Sequence, residues 1–334
     1  MAKILSGLLA NDTLYDREKV ERVPTRNGYG EGLLELGKRR AEVVVLCADL
    51  TESTRVEAFT KAFPERFIEM GVAEQNMASV ASGLAAVGKI PFIASYAVFS
   101  PGRNWEQIRT TICYNEQPVK IGGAHTGVSV GPDGATHQAL EDIAIMRTLP
   151  HMIVVVPGDV HEARKATIAA VDIPGPVYLR FAREKTPVFT VPDAPFAIGK
   201  ASVLRDGDDV ALIACGPLVY EALLAAHALE REGIAARVIN NATVKPMDTE
   251  TIIAAAQECG AVVTAEEHQI AGGMGSAVAE VLAKERPVPM EFIGMQDRFG
   301  ESGSPDTLMD EFGLRAQDVV AAAKRAIARK KAGL

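Results

Sequence analysis

The sequence has no apolar run near the roughly 18 to 20 residues that a membrane span requires. Its opening stretch MAKILSGLLANDTLYDRE lacks the full pattern of a secretory signal. No membrane association is therefore expected, and the cytoplasm is the expected compartment. Cysteine is scarce: Cys47, Cys113, Cys215 and Cys259 lie far apart, each in apolar surroundings. That spacing argues for buried thiols rather than a disulfide framework or a zinc site, and no metal site is expected on this chain. Positive charge is not in excess either. With 35 Lys and Arg against 43 Asp and Glu, the net charge is −8 and the basic residues are scattered, which argues against a nucleic-acid surface. Any anionic ligand must be held by local groups. What the chain has in quantity is aliphatic residue: 334 positions at 48% hydrophobic can bury one large core or two moderate ones, and length favours two domains.

Residues 1–22 are polar without a long periodic pattern and read as an arm that packs late or on a partner. Short β-branched runs then alternate with amphipathic segments. VVVLCADL (43–50), FIEMG (67–71), IPFIASY (90–96), PVKIGGA (118–124), MIVVVPG (152–158) and GPVYLRF (175–181) are the expected strands, with helices at 28–40, 74–87, 103–115, 138–147 and 159–171. Such alternation predicts a mainly parallel α/β sheet covered by helices on both faces. Periodicity lapses at TPVFTVPDAPFAIGK (186–200), where three prolines fall within nine residues. It resumes with strands at 209–216, 236–242, 261–268 and 288–294 and helices near 217–232, 248–258 and 272–286, a second and smaller α/β domain. The domain plan is thus an arm at 1–22, a first domain at 23–188, a linker at 189–199 and a second domain at 200–334. RAQDVVAAAKRAIARKK forms a last helix with its basic end where the macrodipole favours cations.

Open α/β sheets bind ligands beyond the carboxyl ends of their strands, and here those positions are polar. Asp49, Thr51 and Ser53 follow the first strand, Glu74 the second, Tyr96 and Phe99 the third, His125 through His137 the fourth, and Arg183 the last. Taken singly, Asp49, Thr51 and Ser53 have helix capping as their commoner role, and Glu74 is an ordinary first-turn carboxylate. The loop AHTGVSVGPDGATHQALED (124–142) is less ordinary. It is long and Gly-rich, is framed by His125 and His137, carries Asp133, and ends with Thr136 placed to cap a helix near Gln138. Loops of this length in compact domains usually carry function. His151, His161 and His227 read as solvent residues. AEEHQIAGGMGSA (265–277) is a Gly-rich turn opening a helix, a geometry that can hold an anion; Glu266, Glu267 and His268 there could form a site, hold the turn, or meet a partner subunit.

The runs GVAEQNMASVASGLAAVGKIPFIASYAVFSPGRNWEQIR and AHTGVSVGPDGATHQALEDIAIMR resemble the pyrimidine-binding domain of transketolase, and the second domain resembles that family's C-terminal domain. The resemblance implies thiamine diphosphate as cofactor, with Glu74, in the G-x-x-E-[HQ] position, bonded to the pyrimidine nitrogen and driving its conversion to the imino form. It implies that Tyr96 and Phe99 pack on the pyrimidine, Phe99 being the better stacking candidate, and that Asp49 lies near the thiazolium side. His125, Asp133 and His137 follow the family's H-x7-D-x3-H spacing, which implies sugar contacts, with His137 near the reacting carbonyl. Arg26, Ser53, His125 and Arg183 match the groups that hold the sugar phosphate, a role that suits guanidinium forks.

One part of the family pattern is missing. The Gly-Asp-Gly and downstream Asn that hold Mg2+ and the diphosphate have no counterpart, since Asp206-Gly207-Asp208 with Asn240 and Asn241 has the wrong order and reads as a surface turn. The resemblance therefore implies the C-terminal subunit of a split transketolase, active only with an N-terminal partner that carries Mg2+. Two copies meeting through the Glu74 helix, whose Ala and Gly residues permit close approach, would give a dimer and with the partner a heterotetramer. The expected reaction transfers a two-carbon ketol unit from ketose phosphate to aldose phosphate, as in the pentose phosphate pathway. Alternatives are the β subunit of a 2-oxoacid dehydrogenase, a 1-deoxyxylulose-5-phosphate synthase-like enzyme, and a non-catalytic binding module that kept the fold.

Overall fold

The computed structural model describes residues 7–9 and 13–333. The parts of the expected arm at residues 1–6 and 10–12 lie outside the described residues. The remainder of the arm packs on the second domain of its own chain: Leu14 and Val20 are buried, Tyr15 stacks on His227 with ring centroids 4.3 Å apart, and the Tyr220 hydroxyl donates to the Leu14 carbonyl. His227 is thus partly covered rather than a free solvent residue.

Two large sheets with their helices, and one two-stranded ribbon, make up the described residues. The larger has seven strands in the order Thr243–Lys245, Ile153–Val155, Val177–Arg180, Lys120–Ala124, Ile90–Tyr96, Val43–Cys47, Phe67–Glu69. All neighbours are parallel except the first pair. Val43–Cys47 is buried at every position, as a strand covered on both faces must be, and its run of Val and Leu supplies both faces with apolar side chains. The smaller sheet runs Met290–Met295, Val262–Gln269, Val210–Ala214, Ala236–Asn240, Ser202–Arg205, with only the last strand antiparallel.

All ten expected strands are present, most of them shortened, while Val262–Gln269 and Met290–Met295 end one residue later than expected and Ile90–Tyr96 has the expected bounds. Four short strands were not expected: Arg22–Val23, Thr186–Pro187, Ser202–Arg205 and Thr243–Lys245. Ser202–Arg205 closes an edge of the second sheet, and Thr243–Lys245 leaves the second domain to pair antiparallel with Ile153–Val155 of the first. The stretch expected as an unpatterned linker is also fastened. Thr186–Pro187 pairs with Arg22–Val23, and the Asp159 carboxylate accepts from the Phe189 and Thr190 amides and the Thr190 hydroxyl. Proline and glycine removed the period without removing the contacts.

Helix ends follow local chemistry. Val160–Ala170 starts at Asp159, whose side chain accepts from the Glu162 amide, and Thr249–Cys259 starts at Asp248 and stops at Gly260 in the left-handed region. Where one helix was expected at 103–115, a short turn Trp105–Gln107 runs into a π-helical stretch, Ile108–Cys113. Among the described residues no helix is long and apolar enough to cross a membrane. All four cysteines are buried and unpaired. The expected surface turn at Asp206 is observed, salt-bridged to Arg237, while Asn240 and Asn241 are buried.

Candidate functional site

The parallel register brings the ends of four strands, Cys47, Glu69, Tyr96 and Ala124, to one edge of the large sheet. Side chains just beyond those ends converge there, because a parallel sheet points every carboxyl terminus the same way.

Glu74 opens the helix Glu74–Ala86 and is only 2% exposed. Ala78, Ala81 and Ala85 of this helix pack inward on their own sheet, so they do not face a second copy; Gly83 and Ala86 remain on the outer side. A buried carboxylate needs a partner, and here it is Arg103, whose Nη1 donates to Glu74 Oε2 at 2.6 Å. The same guanidinium lies 4.7 Å from the centre of the Phe99 ring, a cation-π contact. Asn104, fully buried, donates through Nδ2 to the Glu74 carbonyl and to Ser100. The π-helical turn that follows is fastened to the Glu74 helix by Ser82, whose hydroxyl donates to the Thr111 carbonyl. Single-turn π segments inside helices are frequent at functional sites.

Next to this carboxylate stands an aromatic wall. Tyr96 stacks on His125 at 3.7 Å between centroids and lies 6.1 Å from Phe99, and Phe99 meets His137 edge-on at 5.5 Å. His137 Nδ1 is engaged by the Thr136 hydroxyl at 2.9 Å, which leaves Nε2 for another partner.

His125 is buried in the left-handed region, at φ 55°. Burial, and after it the positive charges of Arg26 and Arg183, push its pKa down to about 3, so it is neutral throughout the physiological range. Its Nε2 faces Arg26 Nη1 at 3.5 Å and must be the accepting nitrogen. The proton then sits on Nδ1, a buried donor with no protein partner. Arg26 itself donates to the Ser53 carbonyl at 2.6 Å, and its buried Nε has no partner. Ser53 thus contributes its backbone oxygen here. Arg183 donates to the Val130 carbonyl and pairs with Glu184, with Asp133 Oδ2 3.9 Å away.

Asp49 is exposed at the strand end with φ 57°. Neither it nor Thr51 nor Ser53 caps the next helix, which starts from Val56 without a side-chain cap. Asp49 and Gly71 instead donate their amides to Glu69 Oε1, and the Thr51 hydroxyl reaches Oε2. Glu69 clamps the two strand ends that carry Asp49 and Glu74, a role that its position at the end of a short strand does not announce.

The loop 124–142 is longer than expected, because its helix begins at Asp142 and not near Gln138. Thr136 bonds to His137 instead of capping. Gln138 is buried and donates to the Val128, Gly131 and Glu301 carbonyls, closing the loop on itself and on the second domain. Below it lies a buried ion pair: Arg180 bonds to both Asp142 oxygens and, through Nη2, to the Ala139 and Glu267 carbonyls. The Tyr178 hydroxyl completes the set at Asp142 Oδ2. The three residues of AEEHQIAGG hold turns. Glu266 accepts from the Met274 and Gly275 amides, so the chain's own carboxylate fills the helix terminus that could have held an anion. Glu267 accepts from the Ser129 amide at 2.6 Å, and His268 from the Ala144 amide. Among the described residues no cluster of three His, Cys, Asp or Glu could hold a metal ion.

The geometry therefore joins Glu74, Tyr96, Phe99, His125, His137, Arg26 and Arg183 along one sheet edge, with Arg103 as the residue that sequence reasoning missed. Its signal was present: Arg103 stands in the SPGRNW run immediately after the aromatic segment.

Comparison with known proteins agrees with this architecture. The transketolase pyrimidine-binding domain matches residues 21–188, and the transketolase C-terminal domain matches residues 199–319. A transketolase C-terminal section of Methanocaldococcus jannaschii is 45% identical over 88% of this chain and 93% of its own length. A 6-deoxy-6-sulfo-D-fructose transketolase subunit of Clostridium sp. (strain MSTE9) is 42% identical over 93% of this chain and 97% of its own. The solved structure of a split-gene transketolase, titled an inactive beta4 tetramer, superposes with a TM-score of 0.87 at 50% identity, covering 92% of this chain and 99% of that one. This chain belongs to the transketolase family of thiamine diphosphate-dependent enzymes, as a split subunit of the C-terminal type.

Proposed function

We propose that this chain, with an N-terminal partner, transfers a two-carbon ketol unit from a ketose phosphate to an aldose phosphate. The observation that carries the reading is the continuity of one sheet edge, from a buried carboxylate through an aromatic wall to a histidine and arginine cup. The residues suit a pyrimidine at one end: Glu74 is dry, Phe99 offers a ring face, and the pair is already bridged by a planar cation, Arg103. Bound there, thiamine diphosphate supplies the nucleophilic carbon that accepts and releases the ketol unit.

On this reading Glu74 would bond the pyrimidine nitrogen, and Tyr96 and Phe99 would exclude water from that ring. Asp49 flanks the thiazolium side. His137 Nε2 bonds the reacting carbonyl end, Asp133 a sugar hydroxyl, and His125 donates through Nδ1. Arg26, Ser53, His125 and Arg183 form the seat for the terminal anion. Mg2+ belongs to the partner, two copies of each subunit assemble as a heterotetramer in the cytoplasm, and the chain divides into domains at 23–188 and 200–334 about a linker at 189–199. The relative acting on a sulfosugar makes the terminal group of the substrate the open variable. Mixing this chain with a candidate N-terminal subunit, Mg2+ and thiamine diphosphate should give ketol transfer from xylulose 5-phosphate to ribose 5-phosphate. Tight association without transfer, with sulfosugar donors also inert, refutes the enzymatic reading.

A further inference from the structure

Among the described residues the half-buried Arg26 and Arg55 are among the guanidiniums with no carboxylate within ion-pair distance, whereas the fully buried Arg180 and Arg205 are paired. Arg55 is not accounted for by the family resemblance or by the seat described above. It lies between the first strand and the helix Glu57–Ala62, with its backbone at φ 66°. That conformation is disfavoured for a side chain of this size, so the surrounding packing must impose it. Helix Thr25–Arg39 does so: it approaches at Gly30, where a Cβ would overlap the Arg55 carbonyl. The Arg55 Nε then donates to Asn27 Oδ1 at 3.1 Å, beside Arg26. Asn27 thus aims a guanidinium whose remaining donors carry no anion.

Two bonds set Arg55 beside the same cup: its Nε holds Asn27, the neighbour of Arg26, and Arg26 in turn donates to the Ser53 carbonyl two residues before Arg55. Arg26 is held below the ordinary arginine range, first by burial and then by Arg55 and Arg183, and both arginines also press on His125. Of these three cations only Arg183 has a carboxylate, Glu184, among the described residues, and with the buried Nε–H of Arg26 and Nδ1 of His125 unpartnered the cup is left with excess positive charge and unsatisfied donors. A multiply charged anion relieves the repulsion and satisfies the donors together.

We infer that Arg55 is a third guanidinium of the anion seat and that it selects a dianionic phosphate monoester over a singly charged terminal group such as a sulfonate. Anion binding stands on this geometry alone; only the identity of the molecule that carries the phosphate rests on the ketol-transfer reading.

The test uses the full chain, with inorganic phosphate as probe at constant ionic strength. Phosphate should raise the melting temperature saturably at pH 8, more than the singly charged methanesulfonate, and less at pH 5.5, where the second phosphate proton is restored. Arg55→Met should weaken phosphate binding by roughly tenfold, with Arg55→Lys recovering part of it. Without phosphate, Arg55→Met should melt no lower than the parent, because it removes an uncompensated cation. Unchanged phosphate affinity in Arg55→Met, or a lower melting point without loss of binding, overturns the inference and assigns Arg55 to the fold. In the assembled enzyme the loss should fall on KM for phosphorylated sugars more than on KM for unphosphorylated ones. A chain that binds phosphate through Arg55 yet transfers no ketol with its partner supports this inference and removes the reaction.

Discussion

Truncating Arg103 to alanine leaves the Glu74 carboxylate buried without its cation. Breaking a fully buried pair on one side costs about 3–5 kcal/mol, while exposed pairs contribute about 0–1 kcal/mol. Glu74 is 2% exposed and Arg103 46% exposed, joined by one charge-assisted bond of 2.6 Å, so solvent screens one member only. An intermediate loss of about 2 kcal/mol follows. At about 2 cal/mol/K of unfolding entropy per residue, a 334-residue chain has about 0.7 kcal/mol/K, so the melting point should fall by about 3 °C. The contact of Arg103 with Phe99 contributes as well, roughly 0.5–1 kcal/mol. A double-mutant cycle with Glu74→Gln separates the two, because the neutral amide removes the charge pair and keeps the ring contact. In the Gln background Arg103→Ala should cost no more than the ring contact. Equal losses in both backgrounds, measured by reversible denaturation, refute the claim that Glu74 depends on Arg103.

Glu74→Gln should fold normally and lose most ketol transfer with the partner, since an amide has no carboxylate to act on the pyrimidine; unchanged turnover removes Glu74 from the catalytic role. Gly127 sits at φ 81° with its missing Cβ directed into the Glu267 carboxylate, so Gly127→Ala should cost about 2 kcal/mol or more and raise KM by dislodging the loop of His125 and His137. Normal stability and KM would show that the loop does not rest on Glu267. Glu162 is pushed up to about 7 by burial and by the Asp159 charge. Between its unfolded value near 4.5 and about 7 the folded state binds a proton that the unfolded state lacks, so stability is full below 4.5 and falls as pH rises to 7, by about 3 kcal/mol. Glu162→Gln should flatten part of that decline in denaturant titrations from pH 5 to 8, its amide donating to the unpartnered Asn240 Oδ1; an unaltered slope would mean that Glu162 is ionised in the fold.

The alternation of β-branched runs with amphipathic segments, and the polar residues after each run, are local properties, and local chemistry settles them. The parallel α/β fold and the candidates Glu74, Tyr96, Phe99, His125 and His137 were therefore legible from the chain alone. Pairing across distance was not. Thr243–Lys245 joins the first sheet because an exposed edge beside Ile153–Val155 needs hydrogen bonds, and three residues carry no period that reveals it. The helix expected near Gln138 gave way because a buried amide there closes three carbonyls, which outweighs one helical turn. No local pattern assigns Glu69 or Arg55 a partner, and the place of Arg103 after the aromatic segment does not say which carboxylate it meets. Only the folded chain decides which carboxylate gains a cation and which cations are left without one, because charge compensation depends on neighbours brought together from separate strands.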